Sequence, residues 1–139
     1  MGVVARLVRL GPEERALLAR AALWLVLARL GLATLPFLRV RALCERASRG
    51  RPLAGRPASE IRWALLAAAR RLPGTRCLPR ALALQALLRQ AGVASELRIG
   101  VAKDPQGRLV AHAWVDREGE AFLADEDLAP YTALSPLPS

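Results

Sequence analysis

The hydrophobic and polar positions of this chain repeat with a helical period at first and with a strand period towards the end. The stretch GPEERALLARAALWLVLARLG predicts a first helix, because Pro12 suits the first helical position and two glutamates follow it in the first turn. We expect Gly31 to end this helix and a short second helix to run from about Pro36 to Glu45. The Gly-, Pro- and Ser-rich segment RASRGRPLAGRPAS then predicts a linker.

Two further helices are predicted after this linker. Ser59 is the expected N-cap of the third helix, which carries apolar residues at helical spacing: Ile61, Leu65, Ala68 and Leu72. The fourth helix follows Cys77 and is expected to stop at Gly92. Its apolar stripe comprises Ala81, Leu84, Leu88 and Ala91.

From Ser95 onwards the apolar positions alternate, which predicts strands. The segments ELRIGVA, RLVAHAWVD and AFLAD, joined by the turns DPQG and REGE, indicate a three-stranded antiparallel meander. Helices followed by such a sheet define an α+β fold, in which the fourth helix packs on the sheet. We expect an N-terminal helical region with its linker over 1–58 and a core over 59–139, together forming one compact domain.

The two turns also predict which residues face each other across the sheet. A symmetric DPQG turn pairs His112 with Ile99, and a symmetric turn about Glu118-Gly119 pairs Val115 with Phe122 and His112 with Asp125. His112 would then share the helix-covered apolar face with Leu97, Ile99, Val101, Val110, Trp114 and Leu123. A three-residue loop with a bulge would shift the register and bring Ala124 or Glu126 opposite the histidine instead.

These positions suggest a nucleophilic site built around Cys77. The partial positive charge of a helix start favours a thiolate, and an imidazole and a carboxylate complete a Cys-His-Asp arrangement for acyl transfer. The N–H of Cys77 is a candidate oxyanion donor. The alternatives are structural: either cysteine can be a small packed hydrophobe, which is the favoured interpretation of Cys44, while His112 can be a core histidine and Asp125 a surface carboxylate.

Composition narrows the classes of function. The net charge is +9, and of the 21 basic residues only Lys103 is a lysine, a profile that a GC-rich coding sequence tends to produce. Attraction to acidic peptides or membrane surfaces is the rival interpretation of the charge. A nucleic-acid partner is not expected, because aromatic-interleaved basic patches are missing. Two cysteines and one histidine without a CxxC motif predict neither a zinc site nor any other cofactor, and they suit a reducing, cytoplasmic setting.

The apolar run AALWLVLA is the best candidate for a membrane segment. Arg20 and Arg29 bracket it, so we expect it to be shorter than a spanning helix requires. The glutamates before it also argue against a secretory signal. A peripheral membrane contact is left open.

The segments CLPRALALQALLRQAGVASELRIGV and AHAWVDREGE closely resemble the lasso-peptide leader peptidases, a branch of the transglutaminase-like cysteine proteases. The opening PEERALLARAALWLVLARLGLATLPF is similar to the start of those enzymes. The resemblance implies a transglutaminase- or papain-like core and removal of the leader from a lasso-peptide precursor. It assigns the nucleophile to Cys77, the base to His112 and the third member to Asp125, with Asp127 or Asp116 as alternatives.

The resemblance also implies partners. A peptidase of this length stands apart from a small leader-recognition protein, which binds the leader region of the precursor and delivers it. A macrolactam synthetase then acts on the freed amine and is a further candidate partner. Another transglutaminase-like acyltransferase or amidase, and a non-catalytic scaffold whose helices bind a partner, are the rival functions.

Overall fold

The computed structural model of the chain describes residues 11–72, 77–118, 120–123 and 132–133. Within them, four helices precede four strands: α1 (Pro12–Thr34), α2 (Phe37–Ala47), α3 (Ala58–Arg71), α4 (Cys77–Gln90), β1 (Glu96–Lys103), β2 (Leu109–Arg117), β3 (Glu120–Leu123) and β4 (Thr132–Ala133). The strands form one sheet in the order β3-β2-β1-β4. The expected α+β class and order of elements are confirmed, and β4 is an addition to the predicted meander.

Helix α4 lies at the centre of the molecule. It contacts the other three helices on one side and β2 and β1 on the other. Consequently nearly every residue from Pro79 to Leu88 is buried, rather than the single stripe expected from the sequence. A Schellman motif ends the helix: the Val93 N–H bonds the Leu88 carbonyl and the Gly92 N–H bonds the Arg89 carbonyl. Gly92 has the left-handed φ of 78° that this motif requires, so its predicted role is confirmed.

Two predicted helix boundaries differ from the structure. Helix α1 continues through Gly31 to Thr34. Gly31 instead permits close packing of α2, since a Cβ there would lie 3.2 Å from a methyl carbon of Val40. Helix α3 begins at Ala58 after Pro57 and has no side-chain cap, so Ser59 is not its N-cap.

The predicted linker is attached to the core rather than loose. Leu53, which belongs to this segment, is buried in the core, and its N–H donates to the Gln90 carbonyl at the end of α4. The same apolar core includes residues from all four helices and from the sheet, with Leu17, Leu65, Leu84 and Val115 among its most deeply buried members. The core therefore continues across the expected boundary between residues 58 and 59.

Helix α1 is long and apolar enough to cross a membrane, contrary to the expectation from its flanking arginines. Of the most apolar 18-residue segment of this helix, 33% is buried inside the protein. Helices of soluble cores and N-terminal signal segments share these properties. Its exposed stripe consists of Leu23, Val26, Leu27 and Leu30.

Both strand pairings differ from the prediction in a way that matters for the site. His112 pairs with Gly100 and Ile99 pairs with Ala113, because the first hairpin has a three-residue loop with Gly107 at φ 80°. Arg117 pairs with Glu120 as predicted, but a bulge between Val115 and Asp116 then pairs Val115 with Leu123 instead of Phe122. A shift of one residue exchanges the faces of a strand. His112 therefore stands on the row of Gly100 and Trp114, opposite to that of Ile99 and Ala113.

We expect the α4 core to dominate the stability of the protein. Replacing Leu84, which is fully buried, by alanine should lower the free energy of unfolding by about 2–5 kcal/mol through lost burial and a residual cavity. Leu23→Ala on α1 is the matched control, since Leu23 is 57% exposed and should change the value by less than about 1 kcal/mol. Urea unfolding followed by circular dichroism measures both. Equal losses would contradict this placement of the core.

Candidate active site

Cys77 is the first residue of α4, and its thiol lies beside the middle of β2. The Ala113 N–H donates a hydrogen bond to the Cys77 Sγ, with an N···S distance of 3.4 Å. Cys77 itself is half-buried. The helix start and the strand therefore meet at a sulfur atom, and the residue that precedes Ala113 is His112.

The hydrogen-bond pattern of the sheet shows on which side of β2 the sulfur lies. The Asp104 N–H donates to the Arg108 carbonyl, so this pair is a hydrogen-bonded one. Alternation in an antiparallel ladder then makes Gly100–His112 a bonded pair and Ile99–Ala113 a non-bonded pair. The Ala113 N–H thus points away from β1, and Cys77 Sγ accepts it at that side of β2. The sulfur lies beside the strand backbone, between the rows of side chains on the two faces.

His112 is buried, and its neighbours on the same face of the sheet include Trp114 and Gly100. Its imidazole stacks on the indole of Trp114, with ring centroids 6.3 Å apart and an angle of 22° between the planes. Across the sheet it pairs with Gly100, which carries no side chain to compete for space. Trp114, expected on the helix-covered apolar face, is buried but lies on the side of His112 and outside the main apolar core.

Asp116 fixes the orientation of Trp114. One carboxylate oxygen accepts the indole N–H at 2.9 Å, and the other accepts from Arg98 Nε at 3.1 Å. Arg98 also forms an ion pair with Glu96 at 2.7 Å. Asp116 therefore supports the histidine through Trp114, a role that the spacing of three polar or aromatic residues on one strand face could have suggested.

Cys77 and His112 both line one cavity of about 640 Å³. The rest of its wall is largely apolar and comes from α1, the start of α4 and the sheet: Arg29, Leu32, Ala33, Leu78, Pro79, Ile99, Ala111 and Ala113. An apolar cavity with few polar groups is typical of a ligand site. Helix α1 thus contributes directly to the wall, which the sequence patterns did not predict.

Asp125 and Asp127, the expected and alternative third members, lie outside the described residues. The pairing that brought Asp125 opposite His112 assumed that Val115 faces Phe122, and that assumption was wrong. The assignment of Asp125 as the third member of the triad therefore rests on the resemblance and no longer on the predicted register. Among the described residues, no group of three or more His, Cys, Asp or Glu side chains is arranged to hold a metal ion.

The two cysteines differ in environment. Cys44 is buried in the core, and burial raises the pKa of its thiol, an effect that the nearby Arg89 guanidinium opposes. A raised pKa leaves less thiolate at neutral pH, and only the thiolate is alkylated. We therefore expect iodoacetamide at pH 7 to label Cys77 at least about tenfold faster than Cys44. Peptide mapping by mass spectrometry measures both rates, and faster labelling of Cys44 would contradict these assignments.

Comparison with known proteins gives one match at the level of a family. The sequence model of the transglutaminase-like superfamily matches residues 22–137. Neither the curated proteins nor the solved structures gave a match. The family match covers most of the chain and includes α4, β2 and the cavity between them. The chain therefore belongs to the transglutaminase-like superfamily.

Proposed function

We propose that this protein is a cytoplasmic cysteine protease that removes the leader peptide from a lasso-peptide precursor. The observation that carries the proposal is the hydrogen bond between the Ala113 N–H and the Cys77 Sγ, which brings the thiol beside the residue that follows His112. The shared cavity and the family membership add to it. The choice of a lasso-peptide precursor comes from the resemblance of the segments around Cys77 and His112.

The proposed chemistry is acyl transfer through a thioester. His112, oriented by Asp125, takes the proton of Cys77, and the sulfur attacks the carbonyl carbon at the junction of leader and core. The Cys77 N–H, at the start of α4, stabilises the oxyanion. As the C–N bond breaks, the imidazolium returns its proton to the leaving amine, and the core peptide departs. Water activated by His112 then hydrolyses the thioester and releases the leader as a carboxylic acid.

Helix α1 and the start of α4 give the cavity its apolar character. Leu32, Leu78 and Ile99 line it beside the thiol. Such a wall favours an apolar side chain of the acyl donor near the cut bond. The chemistry is therefore directed to a peptide that enters between α1 and the sheet.

Mass spectrometry of the reaction separates this function from its nearest rivals. A candidate precursor is mixed with the protein and its recognition protein, and the reaction is quenched early. We expect an adduct on Cys77 with the mass of the leader, which water resolves to a free leader acid. Resolution by an added amine in preference to water would indicate a transferase. Absence of both adduct and product, with a folded protein and an authentic precursor, would favour the scaffold.

The exposed stripe of α1 is the surface that we propose for the leader-recognition protein. Leu23, Leu27 and Leu30 are 57%, 51% and 58% exposed, and the next turn of the same helix lines the cavity through Leu32 and Ala33. A partner bound here would hold the leader within one or two helical turns of the thiol. This continuity favours the recognition protein over the synthetase or a lipid surface as the occupant.

We expect Leu27→Glu/Leu30→Glu to weaken partner-assisted cleavage at least about tenfold, because charges would be buried in the contact. The matched control is Leu109→Glu, a substitution on the hairpin at a side chain that is 72% exposed. Cleavage rates are measured over a range of recognition-protein concentrations. An unchanged dependence on partner concentration in the α1 variant would refute this docking surface, and loss of liposome flotation instead would identify a membrane contact.

A further inference from the structure

A second cavity lies at the far end of α4 from Cys77. It has a volume of about 460 Å³ and is lined by the end of α2, the following loop and the end of α4: Ser48, Arg49, Gly50, Arg51, Arg89, Gly92, Val93 and Ala94. Helix α4 has 14 residues, which places this cavity about 20 Å from the thiol. Three of its lining residues are arginines.

Local contacts position two of these arginines, Arg89 and Arg51, at the cavity. Arg89 donates to the hydroxyl of the fully buried Ser48 at 2.8 Å. Arg51 lies over Gly92, where a Cβ would come within 3.6 Å of its guanidinium. The loop that carries Arg49 and Arg51 is joined to α4 by the bond from the Leu53 N–H to the Gln90 carbonyl.

The arginines are not required to cap the two helix ends at the cavity. The Cys44 carbonyl of α2 already accepts from the N–H and the hydroxyl of Ser48. At the end of α4, the Schellman bonds occupy the carbonyls of Leu88 and Arg89. In the described part of the chain, none of the three arginines of the cavity forms an ion pair with a carboxylate. Apart from the Arg89 N–H that Ser48 accepts, their donors therefore remain available for a ligand.

The balance of charge favours an anion. Each helix end contributes about half a negative charge, so two ends offset about one of the three guanidinium charges. Guanidinium groups bind carboxylates and phosphates through paired N–H donors. The concave shape, with Val93 and Ala94 in the wall, suits a side chain better than a flat bilayer, and none of its lining residues is aromatic, as base stacking would require.

We infer that this cavity is an oxyanion site that binds the carboxylates of an acidic peptide segment. The inference does not depend on the proposed protease activity, because it rests on the cavity and its arginines alone. If the segment belonged to the substrate, an extended chain would need about six residues to reach from this site to Cys77.

Fluorescence anisotropy with a fluorescein-labelled glutamate-rich peptide, and with its glutamine counterpart, tests this inference on the full chain. We expect the glutamate peptide to bind and the glutamine peptide not to bind. Arg49→Gln/Arg51→Gln should raise the Kd of the glutamate peptide at least about tenfold, since hydrogen bonds to charged groups would be lost. The matched control is Arg39→Gln/Arg46→Gln on α2, which also removes two charges from the net of +9, but at exposed positions that do not line this cavity.

Equal losses in the two double variants would show that only net charge matters and would overturn the inference. Inorganic phosphate should displace the peptide more strongly than chloride at the same ionic strength, because it competes for paired N–H donors. Displacement that follows ionic strength alone would also overturn it. The inference would be overturned as well if anionic vesicles bound in a manner that depends on Arg49 and Arg51 while the peptide did not bind. The double variant leaves the Ser48–Arg89 bond intact, so an unchanged Tm will show that folding is retained.

Discussion

Cys77→Ala is expected to abolish release of the leader, with a loss of up to about 10⁶-fold in kcat, because the thioester can no longer form. The thiol is half-buried and accepts one long hydrogen bond from the Ala113 N–H. Its loss should therefore change the free energy of unfolding by no more than about 1 kcal/mol. Mass spectrometry of precursor cleavage and urea unfolding measure the two effects separately.

Two further variants make this result specific to the nucleophile. Cys44→Ala should retain cleavage, because Cys44 packs in the core and does not line the cavity of Cys77. Cys77→Ser keeps the size of the side chain but replaces the sulfur, and it should also lose nearly all activity because a serine hydroxyl is much less ionised than a thiol at neutral pH. Wild-type rates in Cys77→Ala would refute the proposed mechanism, whereas loss in Cys44→Ala alone would indicate a structural role for the thiol in the core.

The parts of the fold that depend on local residues were predictable from the sequence. The start of α1 at Pro12 and the stop after α4 at Gly92 each follow from the conformational preferences of one or two residues. The α+β order follows from the change in hydrophobic period near Ser95. In each case the signal lies within a few positions of the feature.

The arrangement of residues between elements was harder to predict. The register of β1 and β2 depends on whether the loop has two or three residues, and the observed loop moves His112 to the opposite row of the sheet. The bulge at Val115 has no signal in a period-2 pattern. The two-residue strand β4 is too short to show any period. The hydrogen bond from the Ala113 N–H to the sulfur thus replaces the predicted sharing of a sheet face as the physical link between Cys77 and His112.

Because the register differs from the prediction, several carboxylates must be compared as the group that orients the imidazole of His112. The resemblance assigns the orienting role to Asp125, while the register shift foreseen for a bulge favours Glu126, and Asp127 is the next acidic residue. Asp116 is already engaged with Arg98 and Trp114. A carboxylate that orients the imidazole and stabilises its charged form contributes a large part of the rate of a triad.

Substitution of each carboxylate by its amide distinguishes among them, because size is kept while charge is removed. We expect Asp125→Asn to lower kcat by about 10²–10⁴-fold with little change in KM, since an amide can no longer stabilise the imidazolium. Glu126→Gln and Asp127→Asn should remain within about threefold of the wild type. Asp116→Asn should produce a smaller loss than Asp125→Asn, because its amide oxygen can still accept the Trp114 N–H that holds the indole against His112. A larger loss in Glu126→Gln than in Asp125→Asn would transfer the orienting role to Glu126 and would show that the register of β2 and β3, rather than the resemblance, selects the third member of the triad.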